Sequence, residues 1–163
     1  MLRRPGTKLE KNDKGSGTLI TISLVISILI AYTFAASNIA ILPYWAFYLG
    51  ITFVIIGIII RQWSIYVLGR FFSSTVAIQK NQKVVDNGPY RLIRHPSYTG
   101  ILISLIGFGL ALQSWAATLL IIIIFAVAYG YRIQVEEKTL TSELGDEYIE
   151  YSKKTKRLIP YIL

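Results

Sequence analysis

Charged side chains are missing from two long stretches of the chain. Residues 15–60 and 96–131 contain no Lys, Arg, Asp, Glu or His. A membrane-spanning helix needs about 20 apolar residues, so each stretch has room for two. Polar breaks at Ser37-Asn38 and Gln113-Ser114 divide the stretches. The pattern predicts four transmembrane helices in two hairpins, over about 18–36, 41–60, 98–112 and 115–131.

The remaining segments are polar or mixed. Residues 1–17 form a polar arm, and residues 132–153 have the pattern of a charged amphipathic helix. Apolar side chains within 61–79 allow two interpretations. Either the segment lies at the membrane interface, or helix two continues past Arg61. The predicted fold is an all-α, multi-pass integral membrane protein with a cytoplasmic amphipathic helix near its C-terminus. Its parts are the arm 1–17, a first transmembrane hairpin 18–60 and a core 61–163 that contains the second hairpin.

Composition supports this fold class. Hydrophobic residues make up 53% of the chain, charged residues 16%, and the mean hydropathy is +0.52. Soluble domains carry about 25% charged residues, so an ordinary soluble domain and a disordered chain are both excluded. The chain has no cysteine and a single histidine. Disulfides, thiolate chemistry and a His-rich metal cluster are therefore excluded, and no metal site is predicted.

The net charge of +8 comes from cations whose placement predicts the topology. All 17 Lys and Arg residues fall in three segments, at 3–14, 61–94 and 132–157, and the two central breaks have none. Four helices threaded up and down place these segments on one side, which the positive-inside rule makes cytoplasmic together with both termini. Anionic lipid headgroups attract such segments. Nucleic-acid binding is not expected, because the cations border membrane spans and are not interleaved with exposed aromatic residues.

A dense group of turn, cationic, His and Tyr residues lies at 86–100 and gives the first candidate site. Pro96 suits the first turn of a helix, so helix three is predicted to begin there, with His95 at or just before its N-terminus. Free N–H groups at such an end bind anions. His95 and Tyr98 are expected to face a pocket at the membrane surface. The alternatives are that His95 only caps the helix and that Tyr90 and Tyr98 are interfacial anchors.

The second candidate is the pair Arg132 and Glu136, where helix four leaves the bilayer. Residues four apart share one helix face. Ionisable groups at the membrane boundary are costly and usually functional. Arg132 could grip a carboxylate through two bonds, and Glu136 could bind an ammonium group. The alternative is a simple intrahelical salt bridge.

Together these stretches resemble the isoprenylcysteine carboxyl methyltransferase family and its relatives, the phospholipid N-methyltransferases. The resemblance runs from about Gly69 to Pro160. The residues that carry it are Gly88-Pro89-Tyr90-Arg91, Arg94-His95-Pro96-Ser97-Tyr98-Thr99-Gly100, Arg132-x-x-x-Glu136-Glu137-x-x-Leu140, Leu144-Gly145-Asp146-Glu147-Tyr148-x-x-Tyr151 and Thr155-Lys156-Arg157-Leu158-Ile159-Pro160. It implies a membrane O-methyltransferase that uses S-adenosylmethionine (SAM) at the cytoplasmic face. The implied acceptor is the carboxylate of a lipophilic, isoprenylcysteine-like or prenylated substrate.

The resemblance also implies which residues act. Arg132 corresponds to the family's arginine that meets the substrate carboxylate. The SAM-binding positions correspond to Gln79, Gln82, Lys83, Val84, Val85, Tyr90, His95, Pro96, Ser97, Tyr98 and Glu136. The family usually has His where this chain has Gln82, which removes any ring stacking on the adenine at that position. The oligomeric state is not predicted.

Three other functions remain open at this point. The first is N-methylation of a lipid amine, as in the related phospholipid methyltransferases. The second is a membrane reductase of the sterol-reductase type, whose C-terminal part looks similar around the Tyr-Arg…His-Pro motif and which would bind NADPH rather than SAM. The third is a scaffold or transporter subunit without enzymatic activity.

Overall fold

The computed structural model describes residues 15–37, 40–73 and 82–160, and the regular structure in these ranges is helical. The helices are α1 (Ser16–Ala36), α2 (Trp45–Leu68), α3 (Pro96–Ala111), α4 (Trp115–Leu144) and α5 (Asp146–Lys154), with 3₁₀ helices at Gly69–Phe71 and Gly88–Arg91. Extended pairing over the described ranges is limited to isolated bridges. The all-α prediction is confirmed.

Three of these helices are long and apolar enough to cross a bilayer. They are α1, α2 with the 3₁₀ turn that follows it, and α4. Their apolar side chains are widely exposed, as lipid-facing residues are; Leu29 of α1 and Ile59 of α2 are each about 60% exposed. The chain is thus an integral membrane protein. Helix α3 has 16 residues and a length of about 24 Å, shorter than the ~30 Å hydrocarbon core, so the count of four spans stays a prediction.

Glycines set the ends of α2 and α4. Helix α2 continues past Arg61 to Leu68, as the second interpretation predicts for that part of 61–79, and residues 74–79 lie outside the described ranges. It ends where Gly69 adopts a φ of +54°. The helix predicted over 132–153 is in fact two helices, because Gly145, with a φ of +55°, ends α4 and precedes α5. Glycine tolerates this left-handed region, whereas in other residues the Cβ atom would make an unfavourable contact with the backbone.

The helices pair differently from the prediction. The main interfaces join α2 to α3 and α1 to α4, and α3 also packs on α4. The two-hairpin arrangement is therefore not confirmed, since α1 packs mainly along α4 rather than α2. The core of the α1–α4 interface contains Ala31, Ile121, Phe125 and Tyr129.

The two uncharged turns lie at the same end of the helices. The backbone N–H of Trp115 donates to the carbonyl of Ala40 at 3.0 Å, and that of Leu42 donates to the carbonyl of Gln113 at 2.6 Å. Both turns therefore lie at the end of the helices away from Arg61 and Arg132. At the other end, α4 brings Arg132 to the first residue of α1 and to the start of α3.

Close packing of α2 on α3 predicts a stability effect. A Cβ on Gly107 would lie 2.7 Å from the backbone nitrogen of Val54 and 2.8 Å from the Cβ of Phe53, so Gly107→Ala must push the two helices apart. We expect a loss of about 1–3 kcal/mol, measured as a lower Tm in detergent. The control is Gly130→Ala in α4, where a Cβ meets nothing within 4 Å. Equal Tm values for the two variants would contradict this packing.

Candidate active site

A cavity of about 340 Å³ lies between the ends of α1, α2, α3 and α4, with α5 and residues 82–85 closing it. Small-molecule sites typically have volumes of roughly 300–1,000 Å³. Ten of the twelve residues predicted from the sequence line this cavity: Gln82, Lys83, Val84, Val85, Tyr90, His95, Ser97, Tyr98, Arg132 and Glu136. Two stretches that are distant along the chain therefore meet at one place.

Two predicted residues are not in the lining. Gln79 lies outside the residues that the structure describes. Pro96 is fully buried as the first residue of α3 and does not line the cavity. Its contribution is to the backbone, because its fixed φ suits the first helical turn and it lacks the N–H that would have no partner there.

The start of α3 places the His95 ring inside the site. The carbonyl of His95 accepts the N–H groups of Tyr98 and Thr99, so these two N–H groups are used within the first turn. His95 is the N-cap residue of α3, but its side chain forms no capping hydrogen bond. The ring is stacked on Tyr98, with centroids 5.5 Å apart. Its Nδ1 lies 3.9 Å from Glu136 Oε2, so His95 and Glu136 can touch one small molecule.

Tyr98 links the two charged residues of α4. Its hydroxyl donates to Glu136 Oε2 at 2.7 Å and accepts from Arg132 Nε at 3.1 Å. Arg132 and Glu136 share one helix face as predicted, and they meet through Tyr98 of another helix. Arg132 is only 3% exposed. A buried guanidinium needs hydrogen-bond partners, so this network fixes where its charge lies.

Tyr90 is also part of the site and is not a lipid anchor, since it is buried. Its backbone carbonyl accepts from the Tyr151 hydroxyl at 2.7 Å, which joins α5 to this 3₁₀ helix. Burial, with a further contribution from the negative charge of Glu136, raises the pKa of Tyr90 above its usual range. Its hydroxyl therefore stays protonated at neutral pH and can donate a hydrogen bond.

Glu137 has a structural function that the sequence did not reveal. Its carboxylate accepts from Arg94 Nε at 2.8 Å and from Arg157 Nε at 2.9 Å, and it lies 3.4 Å from His95 Nε2. The backbone N–H groups of Arg94 and His95 donate to the carbonyls of Lys156 and Arg157. Glu137 thus fastens the segment after α5 to the start of α3.

Other lining residues were given no role from the sequence. Leu140 and Tyr148 belong to the sequence motifs that carry the family resemblance. Arg61 lies on α2 and Tyr129 on α4. Arg61 had a signal that could have identified it, because it is the first charge after a long apolar run and ionisable groups at that boundary are usually functional. No cluster of acidic and histidine side chains suited to a metal occurs in the ranges that the structure describes.

Comparisons with known proteins agree with this geometry. The profile of the isoprenylcysteine carboxyl methyltransferase (ICMT) family matches residues 49–142. A probable protein-S-isoprenylcysteine O-methyltransferase of Oryza sativa subsp. indica is 34% identical over 122 residues, which cover 73% of this chain and 64% of the rice protein. Protein-S-isoprenylcysteine O-methyltransferase A of Arabidopsis thaliana is 29% identical over 154 residues, 90% of this chain and 78% of that protein.

A solved structure is similar as well. It is that of the eukaryotic intramembrane Ras methyltransferase ICMT, with a TM-score of 0.73 and 26% identity. The match covers 88% of this chain and 52% of the larger protein. The chain thus spans about half to two thirds of the length of the solved structure and the rice relative, and most of the Arabidopsis protein.

Proposed function

This chain belongs to the isoprenylcysteine carboxyl methyltransferase family, and from that premise we propose that it transfers a methyl group from SAM to the carboxylate of a lipophilic, prenylcysteine-like substrate in the membrane. The observation that carries the proposal is the placement of Arg132 and Glu136 one turn apart in α4, joined by Tyr98 inside one cavity. A cation that can hold a carboxylate and an anion that can hold an ammonium group therefore stand side by side.

The donor set of the cavity suits SAM. Glu136 Oε2 is bonded to Tyr98, whereas Oε1 has no hydrogen-bond partner within the described ranges, so the carboxylate can accept the ammonium of the amino-acid end. The hydroxyl of Tyr90 remains a donor. Val84, Val85 and Leu140 supply apolar lining for the nucleoside. Gln82 also lines the cavity and could reach the cofactor through its backbone or its amide.

The acceptor side is cationic, which favours an acid over an amine. Arg61 and Arg132 both line the cavity. Their charges would attract a carboxylate and raise the energy of a bound ammonium or of a positive charge developing on an amine nitrogen. We therefore favour carboxyl methylation over N-methylation of a lipid amine.

The reaction requires the protein mainly to orient the acceptor carboxylate and the methyl donor. When bound, SAM supplies the methyl group as an electrophile. A carboxylic acid has a reference pKa near ~4 and is ionised at neutral pH, so no side chain needs to remove a proton. Arg132 and Arg61 would hold the carboxylate in place, and Glu136 would fix the donor side. Alignment of two reactants can lower a barrier by roughly 7–11 kcal/mol.

The apolar part of the lining fits a lipid tail. Ile20, Leu68, Phe71 and Ile101 face the same cavity as the charged groups. A lipophilic acceptor could therefore place its tail among these side chains and its carboxylate at Arg132. With the basic segments on the cytoplasmic side, as the positive-inside rule predicts, water-soluble SAM would enter from the cytosol.

Methyl transfer with identification of the product tests the proposal. The protein in nanodiscs is incubated with methyl-tritiated SAM and either N-acetyl-S-farnesylcysteine or phosphatidylethanolamine. We expect label in the farnesylcysteine product, released by mild base as volatile methanol because the product is an ester. Base-stable label in the phospholipid would instead support N-methylation. The farnesylcysteine methyl ester, whose carboxyl is blocked, is the control and should accept no label.

A further inference from the structure

Arg132 is held by hydroxyl groups from two different helices. Its Nη1 donates to Ser16 Oγ of α1 at 2.8 Å, and its Nε donates to the Tyr98 hydroxyl of α3 at 3.1 Å. The guanidinium is planar, with five N–H donors in a fixed arrangement. Two acceptors on different nitrogens therefore fix both the position and the plane of the group.

Ser16 is unusual for its place on α1. It is the first residue of the helix and is completely buried, whereas much of α1 exposes apolar side chains to lipid. The position follows from the packing of α1 along α4, where Ala31 contacts the core formed by Ile121 and Phe125. The helices run in opposite directions, so the start of α1 comes level with Arg132.

We infer that Ser16 is a positioning residue for Arg132, and that α1 thereby completes the acceptor side of the site. The inference rests on the proposed function, in which Arg132 holds the acceptor carboxylate. Gly17, Ile20 and Thr21 of the same helix also line the cavity. Helix α1 lies outside residues 49–142, which the family profile matches, so this contribution comes from a part of the chain that the profile does not describe.

The chemistry of the bond suits this role. The Ser16 hydroxyl is neutral, so it orients the guanidinium without neutralising its charge. A carboxylate at the same place would compete with the acceptor for that charge. Orientation matters because a displacement of about 1 Å at a reacting group can cost about a hundredfold in rate.

Acceptor kinetics of Ser16→Ala test the inference. Because this variant removes a hydrogen bond to the charged Arg132 guanidinium, we expect kcat/KM for N-acetyl-S-farnesylcysteine to fall about tenfold. The Kd for SAM should stay within about twofold of that of the unmodified protein, because Ser16 acts on the acceptor side. Ser27→Ala is the matched control on the same helix. Ser27 is also buried, and its hydroxyl has no hydrogen-bond partner among the residues that the structure describes, so its removal should leave both constants unchanged.

A second measurement is independent of activity. In ligand-free protein, the Nε proton of Arg132 is identified by NMR through its loss in Arg132→Lys. It should exchange with solvent faster in Ser16→Ala than in Ser27→Ala, because the side chain has lost one of its anchors. An equal exchange rate in the two variants would overturn the inference.

The outcomes separate the inference from the proposed function. If the unmodified protein methylates the acid and Ser16→Ala matches Ser27→Ala in acceptor kinetics, the inference is wrong and the proposed function stands. It is also wrong if Ser16→Ala weakens SAM binding as much as it lowers kcat/KM, since that pattern indicates general loss of structure. If the unmodified protein methylates no acid at all, the proposed function itself fails.

Discussion

Replacing Arg132 with lysine is expected to lower kcat/KM for the acid acceptor by about 10- to 150-fold while the Kd for SAM changes by less than about threefold. A lysine ammonium cannot donate to Ser16, to Tyr98 and to a carboxylate in the planar arrangement of a guanidinium. Each charge-assisted bond lost is worth about 1.5–3 kcal/mol, which corresponds to that range. Initial rates with N-acetyl-S-farnesylcysteine and SAM titrations measure the two quantities separately.

The control for this variant is Arg91→Lys. Arg91→Lys is the same substitution in the 3₁₀ helix beside the site. The Arg91 side chain is exposed and does not line the cavity. We expect both constants to be unchanged there. Full activity of Arg132→Lys on the acid would mean that Arg132 does not hold the acceptor carboxylate.

Substitutions of the adjacent residues Glu136 and Glu137 are expected to have different effects, one on SAM binding and the other on stability. Glu136→Gln should weaken SAM binding about 10- to 100-fold with little change in Tm, because a neutral amide loses the charge proposed to hold the SAM ammonium. Glu137→Gln should chiefly lower stability, because the carboxylate that binds Arg94 and Arg157 is lost. For a chain of this size a loss of about 2 kcal/mol lowers Tm by about 4–8 °C.

Glu143→Gln provides the matched control for charge. It removes one negative charge from the same helix, on an exposed residue that does not line the cavity. Neither SAM affinity nor Tm should change. If Glu136→Gln binds SAM as tightly as Glu143→Gln does, Glu136 does not hold the cofactor.

The sequence predicted those parts of the site that local geometry determines. Proline at the first helical position indicated the start of α3 at Pro96. The spacing of four residues put Arg132 and Glu136 on one face of α4. The family resemblance connected these stretches, and ten of the twelve residues implied by the two arguments line one cavity.

The sequence could not predict which helices pack against each other, and the reason is physical. A helix in lipid has no polar face to reveal which side is buried, and helices associate through close packing of small residues instead. Nothing in the apolar residues of α1 indicates whether α1 packs on α2 or on α4. The partnership of Ser16 with Arg132 follows from that pairing, so it could not be predicted either.

The different roles of Glu136 and Glu137 were hidden for a similar reason. Adjacent helical residues point to different sides, but which side faces the cavity depends on the surrounding elements. Arg157, which binds Glu137, lies in the irregular segment after α5, and no periodic pattern relates it to α4. Only the backbone pairing of residues 94–95 with 156–157 brings it there.

Calorimetric titration of SAM into the purified protein in detergent tests the central claim most directly. We expect saturable binding of one SAM per chain, competition by S-adenosylhomocysteine, and no heat from NADPH under the same conditions. Binding of NADPH in place of SAM would contradict it and favour a reductase.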